Sequence, residues 1–139
     1  MSNLWKVCDT VRQSLGLDNI TFQYDAYSGK KTLTGGAALG TTHIVPCGAK
    51  GLIDFWSTFF HTEPWVQLST IVHEHLHVGT MPYHQILTGR VNETTFRHVD
   101  EQVIDRLCQP IARLIKPKLR GVWDMRERLK LPRQRRYAT

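Results

Sequence analysis

The sequence predicts an α+β domain, on three observations. Its 139 residues, 41% apolar and 22% charged, suffice for one core and leave no room for two domains. Apolar residues recur at helical spacing near the N-terminus, across 64–79 and again from about residue 95. Between these stretches, runs at 20–24 and 41–47 carry the alternation or the β-branched residues of strands. A chain of this length buries roughly two-thirds of its unfolded surface, so the core needs no metal or disulfide staple.

In chain order, Leu4, Val7, Cys8, Val11 and Leu15 form one helical stripe, stopped by Gly16. Ile20, Phe22 and Tyr24 alternate with polar residues, Ser28-Gly29 reads as a turn, and 31–34 returns as a second strand, giving a hairpin. Gly35, Gly36 and Gly40 loosen the chain before an edge strand at 41–47, ended by Pro46 and Gly48. Residues 51–61 are apolar and aromatic without a clear period, and read as a short helix or a loop packed on the core. Thr62-Glu63-Pro64 starts a helix with Pro64 in its first turn, where its missing N–H costs nothing. Trp65, Leu68, Val72 and Leu76 continue that helix to about Gly79, and Pro82 and Gly89 bracket a loop. From about residue 95 a longer helix runs through Phe96, Val99, Val103, Leu107, Ile111 and Leu114, with a bend expected at Pro110. Val122, Met125 and Leu129 hint at one more short helix.

The net charge of +6 is unevenly placed. Residues 1–112 carry 8 Lys and Arg against 10 Asp and Glu, whereas 113–139 carry 10 against 2. The expected organisation is therefore a domain over 1–117 and a basic C-terminal extension over 118–139. Such a block can attract nucleic acid or an acidic partner, and its blander account is a solvated, partly disordered tail. No apolar run approaches the roughly 20 residues of a membrane span, and residues 1–17 lack the features of a secretory signal. Cys8, Cys47 and Cys108 form no CxxC pair, which argues for reduced thiols in a cytoplasm.

The chemistry lies in His73-Glu74-x-x-His77. At about 100° per residue the two histidines differ by about 40° in azimuth and one helical turn in height, so both imidazoles reach a single ion. Two nitrogen donors make half a tetrahedral zinc site, and the intervening glutamate can take a proton from a metal-activated water. The blander account is a polar helix face, with His75 showing that histidines here are not all ligands; His75 is expected exposed or hydrogen-bonded.

A catalytic zinc needs a third protein ligand and an open position. His84, His98, Asp100 and Glu101 are the candidates. The continuation H-E-x-x-H-x-x-G-x-x-H fails twice, with Thr80 at the glycine and Tyr83 at the histidine. On the next helix His98, Glu101 and Asp105 share a polar stripe, which is either a solvated face or a surface turned toward the histidines. Tyr83, His84 or His98 can supply a second donor to an oxyanion, with His84 and Tyr83 ranked equal. His43 and Cys47 are read as structural rather than as a second metal site, Cys108 as core, and the four tryptophans as packing residues.

His73-Glu74-x-x-His77 followed by Glu101-x-x-x-Asp105 resembles the gluzincin zinc metallopeptidases, in which a second helix supplies a glutamate ligand. The resemblance spans about 41–114 and is nearest to minimal intracellular or phage-borne members. It implies a zincin-like domain with a small mixed sheet packed on the HExxH helix and a second ligand-bearing helix. It further implies zinc on His73, His77 and Glu101, Asp105 orienting a liganding histidine, and Glu74 as general base in cleaving protein or peptide substrates. The strand at 41–46 would then lie antiparallel to a bound peptide, in a cytoplasmic setting that includes a phage host's. The asparagine that often precedes the glutamate is Asp100 here.

Two rivals remain from the sequence: a nucleic-acid-binding protein with a structural zinc and a basic tail, and a small three-histidine RNA endonuclease, against which Glu74 counts. A combined reading joins the protease to nucleoprotein substrates through the tail.

Overall fold

A computed structural model describes residues 3–33, 36–45 and 49–138. Helix α1 (Asn3–Ser14) buries Leu4, Val7, Cys8 and Val11 completely, and the chain leaves it through Gly16 at φ +69°, the left-handed region that glycine adopts without strain. A four-stranded mixed sheet follows, built from β1 (Thr21–Ala26), β4 (Gly40–Val45), β5 (Lys50–Phe55) and β6 (Arg136–Ala138) in the order β4-β5-β1-β6. Strand β5 pairs parallel with β1 and antiparallel with β4, while β6 pairs antiparallel with β1. The edge position expected for 41–47 holds over β4; Pro46, Cys47 and Gly48 lie outside the described residues.

The expected hairpin between 20–24 and 31–34 does not form. Both edges of β1 are taken by strands distant in sequence, and β2 (Thr32–Leu33) pairs instead with β3 (Gly36–Ala37) in a separate ribbon. A local turn signal cannot register that competition. Of residues 51–61, expected as a short helix or a loop, 51–55 belong to strand β5, and Ser57–His61 form a 3-10 turn that buries Phe59. Its core-facing residues are Gly51, Ile53 and Phe55, so the alternation was hidden by a missing side chain. Gly51 is there for space, since a Cβ would lie 2.9 Å from the Val78 side chain and 3.1 Å from Phe22.

Helix α2 (Pro64–Gly79) starts at Pro64 as expected and lays Leu68, Ile71, Val72 and Val78 on the sheet. The loop expected after it is helix α3 (Met81–Leu87), with Pro82 in its first turn where no N–H is needed. Helix α4 (Glu93–Ile115) is capped by Asn92, whose side chain accepts from the Thr95 N–H at 3.2 Å, and it continues through Pro110. The helical period was legible, but the stripe traced by Val99, Val103, Leu107 and Leu114 turns to solvent. Ile104, Cys108, Ala112 and Ile115 face the core instead, which turns Glu101 toward α2.

The C-terminal segment is not a solvated tail. Leu119, Trp123, Leu129 and Ala138 are buried in the same core, and no α-helix forms over 122–129. The Gln67 amide, fully buried on α2, donates to the Leu129 carbonyl and accepts from the Leu129 N–H, and the Trp5 indole donates to the Gln134 carbonyl. With β6 closing the second sheet edge, the boundary expected at 117 does not separate two parts. No helix among the described residues is long and apolar enough to cross a membrane.

Candidate metal centre

One turn of α2 stacks His73 and His77 so that their Nε2 atoms lie 3.2 Å apart. From α4, Glu101 brings one carboxylate oxygen to 2.8 Å from His77 Nε2 and the other to 3.3 Å from His73 Nε2. Among the described residues this is the one grouping of three or more His, Cys, Asp or Glu side chains that can hold a metal ion.

Behind each imidazole stands a carboxylate. Asp105 lies 3.4 Å from His73 Nδ1, and Asp100 lies 3.1 Å from His77 Nδ1. Asp100, weighed from the sequence as a ligand, thus stands behind one. In the neutral imidazole a carboxylate at Nδ1 fixes the proton there and leaves the lone pair on Nε2. Asp100 does this for His77; with the His73 proton likewise on Nδ1, two Nε2 lone pairs and the Glu101 oxygens converge, an arrangement that only protons or a cation can relieve. For bonds of about 2.0 Å, tetrahedral zinc places its ligand atoms about 3.3 Å apart. The Nε2–Nε2 spacing of 3.2 Å is close to that value, and the two Glu101 oxygens lie 2.8 Å from His77 Nε2 and 3.3 Å from His73 Nε2.

Without a cation the site draws protons. Burial alone disfavours imidazolium at both histidines, but hydrogen bonding to Glu101 and the negative charge of Glu74 outweigh it, so both pKa values rise and His77 is pushed up to about 9. The same hydrogen bonds, from His73 and then His77, hold the Glu101 carboxyl well below the usual range.

Glu74 is buried, and burial raises its pKa against the opposing pull of a hydrogen bond from Thr42. Thr42 Oγ1 makes a short hydrogen bond to the Glu74 carboxylate and lies 3.2 Å from the Glu74 main-chain oxygen. This couples the edge strand to the helix. Gly40 permits the approach, because a Cβ there would lie 3.0 Å from Glu74 Cγ. No local pattern points to Thr42 or Gly40, since their role depends on how β4 lies against α2. For Asp100 a signal existed: it directly precedes Glu101 on the helix that faces the histidines.

Other expected residues sort by position. His75 is fully buried; its Nδ1–H donates to the Ile71 carbonyl at 2.7 Å and its Nε2 accepts from the Tyr24 hydroxyl at 2.7 Å. Desolvation lowers its pKa to about 4, so it stays neutral. Of the two residues ranked equal as oxyanion donors, His84 lines the cleft beside the candidate ligand cluster, 3.3 Å from Glu93 and edge-on to Phe96. Tyr83 is 66% exposed and does not line it. His98 is exposed, bonded to Gln102, and apart from the cluster. The cleft itself, about 640 Å³, lies between β4 and the first half of α4, with Glu74, His77 and Glu101 among its walls.

Compared with known proteins, the chain matches no family model, no curated protein and no solved structure.

Proposed function

We propose that this protein is a zinc-dependent peptide hydrolase with His73, His77 and Glu101 as metal ligands and Glu74 as general base. The observation that carries the reading is the convergence of two Nε2 lone pairs and one carboxylate beside a second, buried carboxylate, with His77, Glu101 and Glu74 lining one cleft. A donor set of imidazole nitrogens and a carboxylate at tetrahedral spacing favours zinc over the oxygen-seeking magnesium and calcium. When bound, zinc supplies Lewis acidity, acidifying a water and polarising a carbonyl oxygen.

The chain's own groups do the rest. Glu74 accepts the proton of the attacking water and delivers it to the leaving amine, and its burial brings its basicity closer to that task. Thr42 holds that carboxylate toward the cleft, while Asp100, hydrogen-bonded to His77 Nδ1, keeps that imidazole in the tautomer that presents Nε2, and Asp105 stands 3.4 Å from His73 Nδ1. His84, which lines the cleft, would donate to a developing oxyanion. The unpaired edge of β4 offers main-chain hydrogen bonds to an extended peptide, as in strand addition generally. Free, buried Cys8 and Cys108 suit a reducing, cytoplasmic setting.

A structural zinc, the alternative, is closed by four protein ligands. The described residues bring three together, against an open cleft. The test is zinc content together with hydrolysis of a denatured protein substrate. Glu74→Gln is expected to retain zinc and lose at least about 10²-fold in rate, and His73→Ala to lose both; full activity in Glu74→Gln removes the assigned base.

A further inference from the structure

We infer that the ordered C-terminal segment is a docking surface for the phosphate backbone of double-stranded nucleic acid, on the sheet edge opposite the candidate metal cleft. The segment is held to the core by Leu129, by the Gln67 amide, by the Trp5–Gln134 hydrogen bond and by β6, so its charges sit on a fixed frame. Leu129 points inward while Arg128 and Lys130 on either side of it are exposed, as is Arg133. These three cations and the paired Arg135 and Arg136 line a groove of about 720 Å³, in which Glu127 is the single acid.

The pairing of these cations separates structural charge from available charge. Arg135 is bonded to Asp25 and Arg136 to Asp9, and both hold the segment to the domain. Arg128, Lys130 and Arg133 have no acidic partner among the described residues. Unpaired cations gathered at one concave surface repel one another and attract a polyanion. Of the three available cations Arg128 and Arg133 are arginines, whose planar guanidinium fork matches phosphate oxygens better than an ammonium does. Since β6 and β4 are opposite edges of the sheet, a duplex held here leaves the cleft open. The surface stands on its own charges and not on the assignment of the metal site.

The experiment is fluorescence anisotropy with full-length protein and random-sequence DNA and RNA duplexes of equal length, across a salt series. Submicromolar binding to either duplex at low salt is expected, with an affinity that falls steeply as salt rises. The triple substitution Arg128→Ala, Lys130→Ala and Arg133→Ala is expected to reduce the log–log salt slope by about 2 to 3 and the affinity more than tenfold, for three lost phosphate contacts. Its melting temperature and zinc content should match the parent's. Absence of binding to both duplexes, an unchanged slope in the triple variant, or equally tight binding of polyglutamate overturns the inference; the last outcome identifies an acidic polypeptide as the partner. Loss of hydrolysis in Glu74→Gln with duplex binding intact separates this surface from the metal cleft.

Discussion

Thr42 on the edge strand donates its hydroxyl to the Glu74 carboxylate on α2, so the strand expected to run beside a substrate also holds the proposed base. A hydrogen bond to a charged group contributes about 1.5–3 kcal/mol, which corresponds to about ten- to a hundredfold in rate if lost at the reacting geometry. Thr42→Val, which keeps the shape and removes the donor, is expected to lower kcat by that factor with zinc content unchanged, and Thr42→Ser to restore most of it. A Thr42→Val protein with parental kcat would show that Glu74 needs no such support.

The carboxylates behind the two imidazoles differ in exposure, and that difference predicts unequal effects. Asp100 has a side chain only 14% exposed, against 66% for Asp105. Water screens the exposed contact far more than the buried one. Asp100→Asn is therefore expected to weaken zinc binding by about ten- to a hundredfold, the range seen when a ligand's supporting carboxylate is removed. Asp105→Asn should cost clearly less. Competition against a chelator of known affinity measures both; a larger effect at Asp105 would reverse the ranking.

The pH dependence follows from His77. Its pKa in the metal-free fold, about 9, lies above its ordinary value of 6.5, so zinc must displace a proton at neutral pH. Zinc affinity is expected to tighten by about tenfold per pH unit between about 6.5 and 9, then level off. Stability of the chelated protein runs the other way. A group whose folded pKa is raised contributes stability that is complete below the unfolded value and lost as pH rises through the folded value. The melting temperature of the zinc-free protein should thus fall from about pH 6.5 to 9, and added zinc should abolish that fall. A flat zinc-free profile would contradict the coupling between His77 and Glu101.

What could be read from the residues was what is local. The histidine pair and Glu74 were legible because helical spacing alone sets their relation, and α1, α2 and α4 because their apolar residues recur within a few turns. The face of α4 was not legible: two apolar stripes compete there, and the core takes Ile104, Cys108, Ala112 and Ile115 while Val103 and Leu107 are exposed. Strand β5 was obscured by Gly51, whose meaning is the closeness of Val78. Thr42 and Gly40 act only through the contact of β4 with α2, a relation more than thirty residues long in sequence. The C-terminal segment misled through its composition, since charge at exposed positions concealed the buried Leu119, Trp123, Leu129 and Ala138 between them.

That segment gives the sharpest test of the fold. Full burial of a large apolar side chain contributes about 1.5–3 kcal/mol, so removing Leu119, Trp123 and Leu129 together approaches the whole stability of about 5–15 kcal/mol typical of such a domain. Deletion also strips the Gln67 amide of its partners at Leu129 and bares the edge of β1 now paired with β6. The Gln67 nitrogen keeps its bond to the Phe59 carbonyl, but its oxygen is left without a donor, which in a buried position costs about 1–3 kcal/mol more, and an uncovered strand edge invites aggregation. A chain ending at residue 117 is therefore expected to lose its cooperative thermal transition and to aggregate, whether or not zinc is added. A soluble truncated protein that melts at the parental temperature would restore the two-part organisation expected from charge alone. Because truncation removes both fold and charge, loss of nucleic-acid binding on deletion would not distinguish them, and only substitution of the exposed cations does so.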